Sequence, residues 1–227
     1  MHIIYRATNI ETTPETYRSF RPKWFDKRKC FKSLVDNVSE NDNVIVLFDG
    51  EQGILSDYIK TFKNISFINI DVRSNVKSLL ACYDLINTLP EDSVYFLEDD
   101  YLHTSNSLNV LKEGIEKFKL VTLYDHNDRY TGNDDITSGK DFIQITKSCH
   151  WRTAESTTCT WACSKDILKK IVEIAKQYKL EDRALFRYLY TMNIRLWTPI
   201  IGKSTHVCDG YMSPFTDWKT INESVVL

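Results

Sequence analysis

The sequence contains few glycines, no long apolar run and no large excess of charge of either sign. Only seven of its 227 residues are glycine, which excludes fibrous and low-complexity chains. The 29 basic residues nearly cancel the 31 acidic ones, which argues against a broad nucleic-acid surface or a polybasic anchor. No apolar segment approaches the length of a membrane span, and the early charge at Arg6 is unlike a signal peptide. We therefore expect no nucleic-acid partner and no membrane span.

The sequence also lacks any Cys-x-x-Cys pair among its six cysteines, so neither a zinc ribbon nor a thioredoxin-type motif is indicated. Several cysteines lie inside apolar runs, as Cys82 and Cys163 do. Buried free thiols in a cytoplasmic protein are the simplest interpretation. The apolar fraction of 42% is sufficient for a real core, and the length favours one α/β domain over residues 1–227.

Strand and helix patterns alternate over the first half of the chain. Continuous apolar runs predict strands, and apolar side chains at helical spacing predict the helices between them. The predicted strands are 2–8, 43–48, 66–70 and 93–97, and the predicted helices are 22–38, 54–62 and 74–88. This alternation predicts a mostly parallel central sheet flanked by helices. Ligands bind at the carboxyl ends of such strands, so functional residues are expected there.

The second half is less regular and predicts a smaller antiparallel part. The predicted helices are 105–117, 165–178 and 182–191, and the predicted strands are 120–124, 142–146, 157–163 and 194–201, followed by a polar tail. The segment 125–141 is rich in Asp, Asn and Gly and predicts a surface loop. This segment has two possible roles: it is a plain surface loop, or it is a lid that closes over a ligand and carries Asp134 and Asp135.

A hydrophobic strand, 94–97, delivers three consecutive carboxylates, Glu98, Asp99 and Asp100, to the functional edge of the predicted sheet. Three adjacent negative charges repel, so the arrangement is costly unless a cation balances it. Hard divalent ions such as Mn²⁺ and Mg²⁺ take oxygen ligands from carboxylates and substrate phosphates. The triplet therefore indicates a divalent-cation site, and a solvated acidic turn is the alternative.

A strand that ends in Glu98-Asp99-Asp100 resembles the Asp-x-Asp region of GT-A glycosyltransferases. The resemblance follows the order of elements over most of the chain, and the compact size is similar to that of small glycosyltransferases encoded by large algal viruses. It implies a GT-A-like single domain with a nucleotide-sugar-binding half, 1–104, and an acceptor-binding half, 105–227. It also implies that Glu98 or Asp99 contacts the donor ribose or the metal and that Asp100 ligates the metal. The sequence departs from the motif in having Glu98 in place of the first Asp.

Other residues near the predicted strand ends suit a nucleotide diphosphate-sugar donor. Arg6, Thr8 and Asp49 lie where GT-A enzymes hold the nucleotide. An aspartate there can accept the imide N–H of uracil or thymine, which favours a UDP- or dTDP-linked sugar, although Asp-Gly also favours a plain turn. Arg73 and Lys77 flank the start of the third predicted helix, where a cation and the helix N-terminus suit a diphosphate. For each of these two residues, an ordinary exposed basic side chain with no ligand is the alternative interpretation.

The resemblance also points to a third metal ligand and a general base. His206 follows the last predicted strand, and several GT-A enzymes supply a late histidine to the metal, which favours Mn²⁺. An inverting transfer needs a base on the acceptor hydroxyl. Segment 179–183 resembles the Glu-Asp pair at a helix start in inverting enzymes, which makes Asp182 the base and Glu155 the alternative. Acidic residues at a helix start also simply interact well with the helix dipole.

The segment before the strand 157–163 carries side chains that suit a sugar acceptor. His150, Trp151 and Arg152 are adjacent there, and aromatic faces bind sugar C–H surfaces while basic groups bind sugar hydroxyls. A core position is the alternative for Trp151.

The combined interpretation is a metal-dependent, inverting glycosyltransferase, a hexosyl- or deoxyhexosyltransferase that acts on a glycan or glycoprotein. Its expected location is the cytoplasm, or the host cytoplasm if the chain is viral. A non-catalytic sugar- or nucleotide-binding module and a sugar nucleotidyltransferase are the alternatives. The absence of glycine over residues 7–21 argues against the nucleotidyltransferase, which usually has a glycine-rich loop after its first strand.

Overall fold

A computed structural model describes residues 1–9, 20–90, 92–127, 130, 142–178 and 182–227 of the chain. These residues form a nine-stranded sheet with helices packed against it. Its strands are β1 (His2–Ala7), β2 (Asn43–Asp49), β3 (Ile65–Ile70), β4 (Val94–Glu98), β6 (Leu120–Val121), β7 (Ile143–Ile145), β8 (His150–Ala154), β9 (Thr160–Cys163) and β10 (Leu196–Ile200). A second, two-stranded antiparallel sheet is made of β5 (Tyr101–His103) and β11 (Ser204–His206).

The helices are α1 (Lys27–Val35), α2 (Ile54–Ile59), α3 (Asn75–Thr88), α4 (Ser107–Phe118), α5 (Lys165–Tyr178), α6 (Asp182–Thr191) and α7 (Trp218–Ser224). The strand order in the large sheet is β3-β2-β1-β4-β9-β6-β10-β8-β7. Strands β3, β2, β1 and β4 are parallel neighbours, and only β8 and β9 run against the other strands of this sheet. The predicted α/β class, with a mostly parallel central sheet and a smaller antiparallel part, is therefore confirmed.

The central strands have continuous apolar sequences because helices cover both faces of the sheet. Along β1, Ile3 and Tyr5 face one core and Ile4 faces the other. Helices α1, α2 and α4 pack on the first face, and α3, α5 and α6 pack on the second. A strand that is buried on two faces loses the alternation of apolar and polar residues that a one-sided strand would show.

The first helix is shorter than the predicted span of 22–38. The Phe25 N–H donates to the Pro22 carbonyl at 2.9 Å, which closes a turn before the helix. Asp26 then caps α1 by accepting the Arg28 N–H at 2.8 Å. At α3, Ser74 is the cap, and its side chain accepts the Lys77 N–H. The prediction also missed β5, β8, β11 and α7, and it extended β6 beyond its two residues.

Trp151 is fully buried, and its indole lies against Gly114 on α4. A Cβ at Gly114 would lie 2.4 Å from Trp151 Cη2, closer than packed atoms approach, so one of the two elements must move. We expect Gly114→Ala to lower the free energy of unfolding by about 1–2 kcal/mol, because overpacking outweighs the gain in helix propensity. Urea denaturation measures this, and Trp151→Phe in the same background should restore part of the loss. Equal or higher stability of Gly114→Ala would contradict the close packing.

None of the helices in the described ranges combines the length and hydrophobicity that a bilayer crossing requires. No disulfide joins any of the six cysteines in the described part of the chain, and five of them are buried. Burial raises the pKa of the Cys82 thiol to about 12, with a small opposing effect of Arg6. The predicted burial of the thiols therefore holds for these five, while Cys149 is partly exposed.

Candidate functional site

The acidic triplet lies at the carboxyl edge of the parallel strands, where β1 and β4 are neighbours. Arg6 on β1 is directly opposite Glu98, the last residue of β4. Each carboxylate of the triplet has a basic partner of its own, and these partners are Arg6 for Glu98, Lys27 for Asp99 and Arg21 for Asp100. The chain therefore supplies its own counter-charges, and charge balance alone does not require a metal.

The ion pair of Glu98 with Arg6 joins the strand ends to a helix. The buried Arg6 guanidinium also donates to the Asn75 carbonyl at 2.8 Å and to Ser78 Oγ at 3.0 Å, in the first turn of α3. The predicted donor-site residues Arg6 and Glu98 thus bind each other, and in the described part of the chain Glu98, Asp100 and His206 do not form a group of three metal-ligating side chains. This contradicts its expected place in the metal's ligand set.

Asp99 fixes the end of β1. Its Oδ2 accepts the Thr8 N–H at 2.8 Å and the Lys27 ammonium at 3.0 Å, and Lys27 also donates to the Thr8 carbonyl at 3.0 Å. Burial raises the pKa of the Asp99 carboxyl; the Asp100 charge adds to this rise, and Lys27 opposes it. Both predicted donor residues, Thr8 and Asp99, therefore lie at the expected edge and are held by each other and by Lys27.

Asp100 and His206 are brought together from positions far apart in the sequence. His206 Nε2 lies 2.9 Å from Asp100 Oδ2, because β11 pairs with β5 and places His206 opposite Tyr101. Burial raises the pKa of the Asp100 carboxyl, but His206 and Arg21 outweigh that effect and hold the pKa well below its usual range. The structure thus unites two of the three predicted metal ligands.

A divalent cation fits the Asp100–His206 pair as a site with two protein ligands. Asp100 Oδ1 is buried and has no hydrogen-bond partner in the described part of the chain, so it is available to a cation. A carboxylate and an imidazole suit Mn²⁺, and phosphate oxygens and water complete such sites. Across residues 1–9, 20–90, 92–127, 130, 142–178 and 182–227, no group of three or more His, Cys, Asp or Glu side chains is arranged for a metal.

Two other predicted donor residues make contacts within the connection from β3 to α3. Asp49 Oδ1 accepts the backbone N–H groups of Val72 at 2.9 Å and Arg73 at 3.1 Å. The exposed Arg73 guanidinium donates to Asp71 at 2.7 Å and to Glu51 at 3.3 Å. Asp49 thus orders this turn at the carboxyl edge of the parallel strands, and the contact of its carboxylate with a nucleobase stays a prediction.

Lys77 lies in the first turn of α3 and is exposed. Arg6 contacts that same helical turn through Asn75 and Ser78. The start of α3 and the acidic triplet are therefore neighbours, and the binding of a diphosphate there stays a prediction.

The predicted acceptor residues are consecutive on β8, between β10 and β7, and only the first is exposed. His150 is accessible, whereas Trp151 is fully buried among core residues. Arg152 donates through Nη2 to Asp125 Oδ1 at 2.5 Å, and both side chains are almost inaccessible. The prediction that Trp151 and Arg152 bind the acceptor is therefore wrong for this structure, because packing and an internal ion pair occupy them.

The structure shows less of the surroundings of the two candidate general bases than of those of the acidic triplet. Asp182 is the first residue of α6, and its side chain lies outside the described part. Glu155 follows β8, whose last residue Ala154 pairs with Leu196 at the start of β10. Asp134 and Asp135 lie outside the described residues. The assignment of the base stays a prediction.

Sequence reasoning missed Arg21 and Lys27, the partners of Asp100 and Asp99. Both precede or begin α1 within a stretch that carries no motif. The usable signal was the repulsion within the triplet itself, because three adjacent carboxylates, two of them buried, need cations, and basic residues of neighbouring elements can supply them.

His103 on β5 makes a testable contribution to stability near this site. Its Nε2 lies 2.9 Å from the Tyr95 hydroxyl, and burial lowers the pKa of His103 to about 3 from 6.5. Below pH 6.5 the unfolded chain binds a proton that the folded protein does not. We therefore expect His103 to reduce the free energy of unfolding by up to about 1.4 kcal/mol per pH unit as the pH falls from 6 to 4.

Urea denaturation of the wild type and His103→Gln across this pH range measures the effect. The variant should show a flatter pH dependence, since glutamine has no titrating group. Parallel curves for the two proteins would show that His103 is not held neutral.

Solved structures show the same fold at low sequence identity. A protein from Bacillus anthracis assigned as a glucose-1-phosphate thymidylyltransferase, solved with sucrose, aligns with a TM-score of 0.53 and 11% identity over 97% of this chain and 93% of that one. The 4-diphosphocytidyl-2C-methyl-D-erythritol synthase of Anaerococcus prevotii aligns with a TM-score of 0.50 and 13% identity, covering 97% and 94% of the two chains. These two similarities show that the chain has a GT-A-like fold.

The galactosyltransferase LgtC, solved with donor and acceptor sugar analogs, aligns with a TM-score of 0.46 and 13% identity over 87% of this chain and 73% of that one. No protein-family model matches the chain, and no curated protein matches its sequence. The resemblance to enzymes of algal viruses is not tested by these comparisons and stays a prediction.

Proposed function

We propose that the protein is a glycosyltransferase that moves a hexosyl or deoxyhexosyl group from a UDP- or dTDP-linked donor to a hydroxyl of a glycan or glycoprotein. The observation that carries this proposal is the Asp100–His206 pair, with its unpartnered Asp100 oxygen, at the carboxyl edge of β4. The adjacent start of α3, with exposed Lys77, offers backbone N–H groups and positive charge for the donor diphosphate. The GT-A-like fold supports the proposal, because ligands of such sheets bind at the carboxyl ends of the strands.

Asp100 and His206 would hold Mn²⁺ or Mg²⁺ together with oxygens of the donor. A divalent ion there neutralises the charge that develops on the departing diphosphate. In an inverting transfer the acceptor oxygen bonds to the anomeric carbon while the bond to the diphosphate breaks. The nucleoside diphosphate leaves with that electron pair, and the acceptor proton passes to Asp182 or Glu155. The exposed His150 is the remaining predicted acceptor contact.

We also propose a reducing compartment, the cytoplasm, as the site of action. The cysteines of the described part form no disulfide, and such thiols persist where disulfides are kept reduced.

Calorimetry with UDP, dTDP, GDP, CDP and ADP, with and without Mn²⁺, tests the donor assignment. We expect UDP or dTDP to bind at least about tenfold more tightly than the others, and Mn²⁺ to strengthen that binding, because the diphosphate completes the ion's ligands. Absence of nucleotide binding under every metal condition would reject the proposal.

A sugar nucleotidyltransferase is the second candidate, because the two solved structures described above with TM-scores of 0.50 or more are named a thymidylyltransferase and a diphosphocytidyl-methylerythritol synthase. It would release pyrophosphate from a nucleoside triphosphate and a sugar 1-phosphate. A pyrophosphate assay therefore separates it from a glycosyltransferase, which releases a nucleoside diphosphate from a finished nucleotide sugar. The non-catalytic module of the same fold would bind nucleotide and show neither reaction.

A further inference from the structure

Arg21 contacts the same two side chains that would hold the metal. Its Nη2 lies 2.6 Å from Asp100 Oδ2, and its Nη1 lies 3.4 Å from His206 Nε2. These are the two atoms through which Asp100 and His206 also contact each other. A guanidinium therefore already sits at the predicted cation site.

The guanidinium is held at this position by more than its charge. Nη1 also donates to the Val207 carbonyl at 2.5 Å, and the group lies 4.7 Å from the centre of the Phe25 ring. The Arg21 side chain is 11% exposed. A well-held, nearly buried cation on a carboxylate is a competitor that an incoming ion must overcome.

A divalent ion and this guanidinium cannot both use Asp100 and His206 in the same way. Each needs the Asp100 carboxylate, and His206 Nε2 can ligate a metal only through a lone pair, which it lacks while it donates its N–H to Asp100 Oδ2. A charge of +1 and a charge of +2 a few ångströms apart also repel strongly in a poorly hydrated site. The buried and unpartnered Asp100 Oδ1 leaves the carboxylate able to bind a cation once the guanidinium withdraws.

We propose that Arg21 competes with the divalent ion for Asp100 and His206. The donor-free protein therefore binds the ion weakly. The donor's diphosphate strengthens ion binding because it draws Arg21 away from Asp100. The proposal rests on the proposed function for the identity of that diphosphate. Phosphate oxygens form short, paired, charge-assisted hydrogen bonds with guanidinium groups, so the diphosphate can take Arg21 from Asp100 as it supplies oxygens to the ion. Ion and donor then bind cooperatively, and Arg21 is a positioning residue that enforces this order.

Titration of the nucleotide-free protein with Mn²⁺, followed by the electron paramagnetic resonance signal of free Mn²⁺, tests the competition directly. We expect Arg21→Gln to bind Mn²⁺ at least about tenfold more tightly than the wild type, because it removes the competing charge. Arg28→Gln is the matched control, since Arg28 pairs with Asp26 and not with Asp100. It should bind Mn²⁺ as the wild type does.

A second measurement locates the ion. Substoichiometric Mn²⁺ should broaden the imidazole proton resonance of His206 in Arg21→Gln, and His206→Gln identifies that resonance by its loss. Arg21→Lys keeps one positive charge but lacks the forked donors, so its Mn²⁺ affinity should fall between those of the wild type and Arg21→Gln. Thermal unfolding establishes that each variant is folded, and the lysine variant tests the competition even if the glutamine variant does not fold.

The proposal is overturned if Arg21→Gln and Arg21→Lys bind Mn²⁺ no more tightly than the wild type, or if neither they nor the wild type binds it. Saturating UDP or dTDP should bring the wild type close to the Mn²⁺ affinity of Arg21→Gln. If the variants bind Mn²⁺ tightly while no nucleotide binds at all, the competition stands and the proposed function fails.

Discussion

Replacing Arg152 with methionine is expected to lower the free energy of unfolding by about 3–5 kcal/mol, because it strands a buried carboxylate. Arg152 donates to Asp125 Oδ1 through Nε at 3.1 Å and Nη2 at 2.5 Å. The Asp125 side chain is 0% exposed, so water cannot replace the lost guanidinium. Methionine matches the aliphatic part of arginine, which confines the change to the charge and its hydrogen bonds. Urea denaturation at neutral pH measures the loss.

The double variant Asp125→Asn/Arg152→Met should regain much of this stability, because it removes both charges together. Arg187→Met is the matched control, since Arg187 is exposed on α6, and its effect should stay within about 0.5 kcal/mol. The earlier expectation for Arg152, contact with an acceptor sugar, predicts a different pattern. It requires near-normal stability and weakened acceptor binding in Arg152→Met, and that result would contradict the structural role.

The part of the fold that the sequence predicts well is the part specified by neighbouring residues. Strands β1, β2 and β4 are continuous apolar runs because two cores enclose them, and helices α3 and α5 follow from the helical spacing of their apolar residues. The β8 strand was missed because its mixture of His, Trp and Arg has no periodicity. The β5–β11 pair was missed because three-residue strands about a hundred positions apart carry no local signal.

For the candidate site, too, the sequence predicts the general position and does not predict the individual contacts. Topology placed Arg6, Asp49 and the acidic triplet at one edge of the sheet, because parallel strands end on the same side. Which groups touch each other depends on contacts between distant segments, such as Arg21 with Asp100, and no sequence pattern specifies those.

Trp151 and Arg152 show why residue type alone misleads. A tryptophan beside an arginine suits a sugar-binding surface, and the same two side chains suit a core position and a buried ion pair equally well. The register of β8 decides between these roles, because it turns Trp151 toward α4 and leaves His150 accessible.

The largest expected effect on activity is that of Asp100→Asn, which should reduce sugar transfer by about 10²–10³-fold and remove the Mn²⁺ dependence of nucleotide binding. An amide is a weaker metal ligand than a carboxylate, and the substitution also takes the counter-charge from Arg21. Because asparagine keeps the shape of aspartate, the change tests charge and ligation rather than packing. Steady-state kinetics with a UDP- or dTDP-sugar and calorimetry of the diphosphate measure the two effects.

Asp209→Asn is the matched control for Asp100→Asn, because Asp209 is exposed three residues after His206 and the substitution is the same. Its kinetics and nucleotide affinity should equal those of the wild type. The decisive comparison is the response to Mn²⁺. If Asp100→Asn retained the wild-type increase in nucleotide affinity on addition of Mn²⁺, the ion would have to bind elsewhere. Asp100 would then be only the internal partner of Arg21 and His206. The role of the acidic triplet would be structural, because its contacts connect β1, β4 and β11.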